Sequence, residues 1–285
     1  MKKQNVLRCF VTAFLLACIF SSVLADTTLS KNDNNAESIL ALDMQSNQIL
    51  FAQKSDEVRP LASITKLVSA LVLLDLPIKW NSYAKITDAD CDAFSRQVIA
   101  GEILSLEDLW NIALVGSVNS AIKALVRHSG VDRETFVVLM NKKAKSLKLD
   151  SLVLVEPSGL NSKNVGNAKD VARLLKEALK SKKIFNALQT GVYFAKPLHK
   201  ETSRKIYNTN WLLTGWIPND FPPGSIVGKT GFLKNIGYNL TVRMADNKNR
   251  QIIIVVLGSK SFTSRFAKAR ELATQIFNND LGRKS

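Results

Sequence analysis

Histidine and cysteine are scarce in this chain. His128 and His199 are the only two histidines, and neither has a second ligand at metal spacing. A zinc hydrolase is therefore not expected, and no metal or other cofactor is called for. A Ser-His-Asp triad would rest on one of these two isolated rings. Of three cysteines, Cys9 and Cys18 fall in the first eighteen residues. Cys91 sits in DADCDAF, where neighbouring acids raise a thiol's pKa, so it reads as an incidental thiol and not a nucleophile. Acid is also short: 39 Lys+Arg against 24 Asp+Glu gives a net charge of +15. Such a surface draws anionic partners, whether nucleic acid, acidic lipid or an acidic wall polymer, without choosing among them. With 13 glycines and 7 prolines the chain is neither collagen-like nor low-complexity, and 46% hydrophobic residues over 285 positions suffice for a substantial core.

The only long apolar stretch is at the start. Lys2, Lys3 and Arg8 precede Cys9 to Phe20, and Val23-Leu24-Ala25 fits small-residue cleavage of a secretory signal peptide. The expectation is a signal peptide over 1–25 and a flexible lead-in over 26–37, with an exported mature chain carrying a net charge of +12 once three cations are removed. A retained anchor is disfavoured, because the stretch falls short of the roughly 20 residues a spanning helix needs. A lipoprotein signal ending at Leu15-Leu-Ala-Cys18 is the minority alternative. No transmembrane helix is expected in the mature chain. Export, periplasmic or extracellular, also argues against a nucleic-acid partner.

Along the mature chain, strands come first and last. Ile39–Leu42 and Ile49–Phe51 flank a turn, predicting a hairpin. Ser63–Leu74 is apolar on every side after Lys66, which predicts a buried helix closed by Pro77. Ser105-Leu-Glu-Asp108 reads as a capping box. Further helices are predicted over Ala121–Arg127, Glu134–Leu147 and Lys169–Leu179, then strands over Ser225–Lys229, Gly237–Arg243 and Gln251–Gly258, and a closing amphipathic helix over Phe262–Phe277. The expected fold class is α+β. An antiparallel sheet of N- and C-terminal strands carries flanking helices, and an all-helical lobe is inserted. The sheet lobe is placed at about 38–80 and 200–285, the helical lobe at about 81–199, within one domain over 38–285.

Three short motifs carry chemistry. S-x-x-K occurs as Ser63–Lys66, Ser82–Lys85 and Ser120–Lys123. Spacing of i, i+3 places hydroxyl and amine on one helical face. Only Ser63 opens the buried helix, where the N-terminal dipole favours an alkoxide. Ser82 lies in a polar segment and Ser120 inside an ordinary helix. S-x-N occurs as Ser30–Asn32, Ser117–Asn119 and Ser162–Asn164; Ser117, after Gly116, falls at a break between helices, where a loop can lean over a site. Lys229-Thr230-Gly231 occurs once, ending a β-type run; a strand carrying lysine and threonine suits a carboxylate, and glycine permits close backbone approach.

The trio in this order is far more specific than its parts. The sequence resembles the serine D,D-peptidases of the low-molecular-mass penicillin-binding proteins from about Glu37 to Phe277. Leu61–Lys66, Val155–Leu160, Asn208–Asn210, Lys229–Phe232 and Gly237–Asn239 carry the resemblance, and within the family it looks most like the D-alanyl-D-alanine endopeptidases. The resemblance implies a β-lactamase/transpeptidase-like fold and an acyl-serine mechanism. Ser63, Lys66 and Ser117 would be catalytic, and Asn119, Lys229, Thr230 and Gly231 would bind substrate. The backbone N–H groups of Ser63 and Phe232 would form an oxyanion hole. Implied partners are peptidoglycan stem peptides or crosslinks, with β-lactams as covalent inhibitors. For Lys66 to act as a base near neutral pH, burial and a neighbouring Lys229 must depress its pKa by roughly three pH units, about 4 kcal/mol. The chain departs from the family pattern at Val118, Leu233, Ile236 and Asn167–Asp170.

Three alternatives are weighed. A D-alanyl-D-alanine carboxypeptidase trimming stem peptides shares every motif; the chain's end soon after its closing helix, with no second β-rich domain, favours the endopeptidase. A class A-like β-lactamase needs a deacylating glutamate, and Glu156 is one residue too far from Leu160-Asn161 to fit that pattern. A catalytically silent wall-binding protein has no need of an intact Ser63/Lys66 pair.

Overall fold

The computed structural model describes residues 38–92 and 97–278. The expected signal peptide over 1–25 and lead-in over 26–37 lie outside the described residues, as do Cys18 and the Ser30–Asn32 motif.

In chain order the described elements are β1 (Ser38–Asp43), β2 (Ile49–Gln53), β3 (Arg59–Pro60), a 3₁₀ turn (Ala62–Thr65), α1 (Lys66–Asp75), β4 (Tyr83–Lys85), β5 (Ile103–Ser105), α2 (Leu106–Val115), α3 (Asn119–Arg127) and α4 (Arg133–Ser146). Then follow β6 (Val165–Gly166), α5 (Ala168–Ala178), α6 (Lys182–Gln189), β7 (Val192–Ala195), β8 (Arg204–Tyr207), β9 (Val227–Leu233), β10 (Gly237–Ala245), β11 (Gln251–Ser259) and α7 (Ser264–Asn278).

N- and C-terminal strands join in one antiparallel sheet of order β2-β1-β11-β10-β9. The register pairs Leu40 with Val255 and Thr241 with Lys229. Alternation along the strands splits the sheet's side chains between two cores. Ile39, Ala41, Ile252, Ile254 and Val256 pack with Phe266, Ala269, Leu272 and Ala273 of α7. Leu40, Leu42, Ile253, Val255 and Leu257 face the other way, onto Val171, Leu174 and Leu175 of α5 and the remaining helices. Both faces are therefore covered, which is why β11 reads as an almost unbroken apolar run. Each buried Val, Leu, Ile or Phe side chain among these contributes roughly 1.5–3 kcal/mol.

Helix starts follow local capping chemistry. Ser105 Oγ accepts from the Asp108 N–H at 2.9 Å, and Asp132 from Thr135 at 2.7 Å. At Asn167–Asp170, one of the departures noted in the sequence, Asn167 Oδ1 takes the capping role and accepts from Asp170 N–H. Asp170 in turn accepts from the Ser151 N–H and hydroxyl.

Several local features differ from the sequence expectation, among them the short strand pairs β3–β6 and β4–β5, so the 81–199 segment expected to be all-helical also carries strands, each too short to show a period. The helix predicted from Ser63 begins as the 3₁₀ turn, and α1 proper starts at Lys66, because Ala62 adopts φ +50° and cannot extend a right-handed helix backwards. The helix predicted to end at Leu179 is followed at once by α6, started by Ser181 Oγ accepting from Ile184 N–H. A short β7–β8 pair precedes the last strands, with Val192 opposite Tyr207. Neither α6 nor β7–β8 has enough residues to show a period in sequence.

Candidate active site

Three chain segments meet around the Ser63 hydroxyl. The first is the 3₁₀ turn, held to the sheet by Asn239. Asn239 Nδ2 donates to the carbonyls of Pro60 and Leu61 at 2.9 and 3.1 Å, and its Oδ1 accepts from Gly258 N–H at 2.8 Å. Ala62 is pinned in a left-handed conformation just before Ser63, an arrangement that costs of order 1–3 kcal/mol and persists because the packing around it leaves no alternative.

The second segment is the α2–α3 connection. Val115 ends α2, Asn119 starts α3, and Ser117 between them has φ +60°. That kink sends Ser117 toward the sheet and Asn119 toward α1. The third segment is β9, the edge strand of the large sheet, carrying Lys229, Thr230 and Gly231. At Gly231 a Cβ would lie 2.8 Å from the Leu61 carbonyl oxygen and 3.1 Å from Ala62 Cβ, so only glycine lets the strand run this close to the serine turn.

Between these segments lie two buried lysines, each beside a serine. Lys66 Nζ is 3.0 Å from Ser63 Oγ, 2.6 Å from Asn119 Oδ1 and 2.6 Å from the Ser158 carbonyl oxygen. Lys229 Nζ is 2.6 Å from Ser117 Oγ and 3.0 Å from the Thr230 carbonyl oxygen. Lys66 is 0% and Lys229 1% exposed, so neither charge is solvated. Burial pushes the Lys66 amine down to about 7, against the opposing pull of Glu156 and Asp92 and with a small further push from Lys123. Lys229 is lowered too, by burial first and then by its cationic neighbours Lys66 and Arg265. A neutral Lys66 has two N–H bonds and one lone pair. With Asn119 Oδ1 and the Ser158 carbonyl as its two acceptors, the lone pair is left for the Ser63 hydroxyl proton.

The loop that supplies the Ser158 carbonyl is built around Glu156. Its carboxylate accepts from the N–H groups of Ser158, Gly159 and Asn161, the Ser158 hydroxyl and Asn164 Nδ2. Gly159, at φ +88°, presses on the serine turn; a Cβ there would stand 2.0 Å from the Ala62 carbonyl oxygen and 2.8 Å from Ser63 N.

The structure brings Ser63, Lys66, Ser117, Asn119, Lys229, Thr230 and Gly231 together. The Phe232 side chain turns outward, half-exposed and stacked on Tyr238 at 4.4 Å between centroids, while its backbone continues from Gly231 along β9. The rival motifs fall elsewhere. Ser82 Oγ donates to the Lys79 carbonyl in a turn. Ser120 is buried inside α3 and accepts from Asp92 N–H. Asn164 is the buried brace of the Glu156 loop, accepting from Val155 N–H and donating to the Glu156 carbonyl. The Cys91 thiol is pushed up, by burial first and only then by Asp90, Asp88 and Asp92. His128 caps the end of α3, its Nδ1 3.0 Å from the Ala124 carbonyl oxygen.

Sequence reasoning assigned no role to several residues that shape this site. They are the Ser158 carbonyl, Asn239, Thr209 and Arg265, whereas Glu156, which the sequence spacing excluded as a deacylating base, is the structural clamp of its loop. Thr209 Oγ1 lies 2.5 Å from Thr230 Oγ1. Arg265 Nη1 donates to the carbonyls of Gly231 and Asn239 at 2.9 and 3.1 Å, among the rings of Tyr238, Phe262 and Phe266. Polar residues such as Asn239 in an otherwise apolar strand were the one available signal, since a buried polar group needs specific partners.

With this geometry in place, comparison with known proteins adds a consistent picture. The family model for D-alanyl-D-alanine carboxypeptidases, peptidase family S11, matches residues 25–261. The D-alanyl-D-alanine endopeptidase of Escherichia coli K12 is 30% identical over 94% of this chain and 87% of its own length. The endopeptidase of Haemophilus influenzae is 31% identical over 82% of this chain and 80% of its own length. A D-alanyl-D-alanine carboxypeptidase of Bacillus subtilis is 27% identical over 86% and 63%. Among solved structures, the Streptomyces K15 DD-transpeptidase superimposes with a TM-score of 0.78 at 22% identity, over 88% of this chain and all of that one, a match that speaks for the fold alone.

Proposed function

We propose, from the premise that this chain belongs to the S11 family of D-alanyl-D-alanine carboxypeptidases, that it is a serine D,D-peptidase cutting D-alanyl bonds of peptidoglycan, chiefly those of the crosslinks. One observation carries the reading: a fully buried Lys66 amine, depressed to about 7, lies 3.0 Å from a hydroxyl at the head of a helix. No stable structural purpose is served by burying two lysines side by side, since each desolvated charge costs several kcal/mol.

In this mechanism Ser63 Oγ attacks the carbonyl carbon of a D-alanyl peptide bond while its proton passes to Lys66 Nζ. The backbone N–H groups of Ser63 and Phe232 stabilise the oxyanion, each such donor worth about 10²–10³ in rate. The proton taken up by Lys66 then passes by way of the Ser117 hydroxyl, which is bonded to Lys229, to the departing amine as the C–N bond breaks, leaving Lys66 neutral again. Asn119 holds Lys66 and the substrate backbone. Lys229 and Thr230 take the substrate's carboxylate on the amine side of the bond. Water then attacks the acyl ester, with Lys66 again as base, and Ser63 is restored. β-Lactams acylate the same serine.

The endopeptidase preference rests on the endopeptidase relatives, which match over most of their length at about 30% identity. Glu156 as the deacylating base of a β-lactamase is disfavoured by its five donors, which commit the carboxylate to the loop itself. Residues 1–25 are proposed to be a removed leader, with the mature protein working in the periplasm or outside the cell; the family match beginning at residue 25 supports this.

The test has two steps. A fluorescent penicillin should label the purified protein and fail to label Ser63→Ala; absence of any adduct overturns the proposal. Crosslinked muropeptide dimers should then be converted to monomers, identified by mass. Release of terminal D-alanine from dimers that stay joined would assign the carboxypeptidase instead.

A further inference from the structure

Half-exposed aromatic side chains gather just beyond one end of the Ser63 cluster. The outward face of the β7–β8 pair carries Val192 opposite Tyr207 and Phe194 opposite Lys205, while Ala195 and Ile206 are buried on the other face. Phe194 is 57% and Tyr207 46% exposed, and Trp216, at 53%, lies against Tyr207 with 5.8 Å between ring centroids. Contiguous exposed apolar surface of this kind marks a place where something binds. Its backing is fixed. Trp216 meets Trp211 edge-on at 5.0 Å, Trp211 meets Phe262 at 4.3 Å, and Phe262 meets the buried Phe266 of α7. The Ile217 N–H donates to the Trp211 carbonyl and Asn219 Nδ2 to the Leu212 carbonyl, which ties the loop that carries Trp216.

Thr209 connects this platform to the site. It follows Tyr207 by two residues. Its N–H donates to the Val115 carbonyl at the end of α2, and its Oγ1 lies 2.5 Å from Thr230 Oγ1 on β9. The loop therefore joins α2 to β9 at the Lys229–Thr230 end. The proposed mechanism fixes which part of a substrate arrives there. With the reacting carbonyl on the N–H groups of Ser63 and Phe232, and the carboxylate at Lys229–Thr230, the acyl side runs on past Phe232 toward Leu233. The amine side points at Thr209. A departing D-alanine ends at its carboxylate and reaches no further. The departing half of a crosslink continues, from the side chain of the residue bearing that carboxylate, into a second stem and the sugar that carries it. Met by Thr209, it leaves over Tyr207. Two extended residues from Thr209 to Tyr207 cover about 7 Å and a stem of three residues roughly 10 Å, so the sugar arrives at the platform.

The chemistry of the platform suits that sugar. A pyranose presents an apolar face of C–H bonds to the electron-rich face of an aromatic ring, and its hydroxyls take hydrogen bonds at the rim. The Tyr207 hydroxyl and the Trp216 indole N–H make no hydrogen bond among the described residues, so both serve there. We propose that Tyr207 and Trp216 form a glycan subsite on the leaving side, a platform for a pyranose ring of the strand that bears the second stem. A departing D-alanine never touches it, so it adds affinity only for crosslinks. The inference rests on the D,D-peptidase reading and adds the part of the substrate that the enzyme recognises beyond the cut bond.

The experiment uses crosslinked stem dimers that keep their disaccharide on the leaving-side stem only, on the acyl-side stem only, or on neither. For the wild-type protein, kcat/KM should favour the leaving-side sugar over the bare dimer by roughly tenfold, through KM. In Trp216→Ala/Tyr207→Ala that ratio should fall to about one, and Trp216→Phe, which keeps a flat face, should retain part of it. Because the readout is a ratio, a general loss of activity in the variants cancels. Tyr207→Ser, at an exposed strand position, gives the same readout should the double variant fail to fold. No preference in the wild type, a preference for the acyl-side sugar instead, or a preference that survives the substitutions overturns the proposal. So does a dimer of the protein in sedimentation that Trp216→Ala dissociates, because the platform then belongs to a second copy. In parallel, the free disaccharide is titrated into Ser63→Ala and the Trp216 indole N–H resonance is followed. It should shift saturably while that of the buried Trp110 does not. Wild-type protein that cleaves none of the dimers refutes the endopeptidase reading, while this shift still decides the subsite: its absence overturns the proposal.

Discussion

The pH dependence of acylation tests the central lysine directly. Burial carries Lys66 from 10.5 to about 7. At 1.36 kcal/mol per pH unit this is about 5 kcal/mol taken from the charged form. The unfolded chain keeps its proton up to about pH 10.5, and the folded chain releases it near 7. Below pH 7 both states hold the proton and the full cost weighs on folding; between 7 and 10.5 the unfolded state binds more protons, so this group's contribution to stability rises with pH. Activity follows the same titration. The second-order rate constant for benzylpenicillin acylation, measured by quenched labelling from pH 5 to 9, should rise tenfold per unit at low pH and level off above about 7, leaving pH 5 roughly 100-fold below the plateau. Lys123→Ala removes a cation that disfavours the Lys66 charge, so the inflection should move to higher pH. Lys66→Arg, which cannot lose its proton, should fall by at least about 10³ at every pH. A rate still climbing tenfold per unit at pH 9 would mean that the amine stays charged, and a flat profile that it does not titrate in this range; either would overturn the assignment.

Three further substitutions probe the supports of the site. Gly159→Ala places a Cβ 2.0 Å from the Ala62 carbonyl oxygen at φ +88°, so the serine turn must move; acylation should slow by about 100-fold while far-UV circular dichroism stays native. Glu156→Gln removes a buried carboxylate that satisfies several donors; calorimetry should show a loss of about 2–4 kcal/mol, and any folded protein should titrate Lys66 at lower pH. Arg265→Met cuts two charge-assisted bonds to the Gly231 and Asn239 carbonyls behind the lysine strand. It should cost about 1.5–3 kcal/mol of stability in urea titration and raise KM for carboxylate-bearing substrates more than it lowers kcat.

The residues that the structure brings together around Ser63 were legible in sequence because the chemistry proposed for them demands fixed local spacings. Ser63 and Lys66 share a helix turn, Ser117 and Asn119 share a kink, and Lys229 to Gly231 share a strand; each unit spans at most four residues. The fold was legible for a related reason: strands as apolar as Gln251–Ser259 and a helix as uniformly apolar as α1 can only be interior. What stayed hidden is long-range. Arg265 lies 34 residues from the Gly231 carbonyl it holds, and Ser158 lies 92 residues from Lys66. Nothing local marks a backbone carbonyl as an acceptor for a distant amine. The left-handed conformations of Ala62 and Ser117 were equally unreadable, because neither residue type prefers them.

Those two strained residues explain how a chain can keep two lysines buried together. Ala62 precedes Ser63 and Ser117 carries the second hydroxyl of the cluster. Each is held off its preferred backbone region by neighbours that are themselves over-determined: Asn239 and Gly159 around the serine turn, and Lys229 facing Ser117. Relaxing either kink would part a lysine from its serine and leave a desolvated amine with fewer acceptors. The unfavourable burial and the unfavourable backbone therefore share the same packing, and neither can be relieved without the other. On this argument stabilising substitutions should be easiest to find here, at the cost of activity. Ala62→Gly, which relieves the φ +50° strain but loosens the turn, should lower the acylation rate without lowering Tm, whereas a fall in Tm at undiminished rate would show that Ala62 serves packing alone.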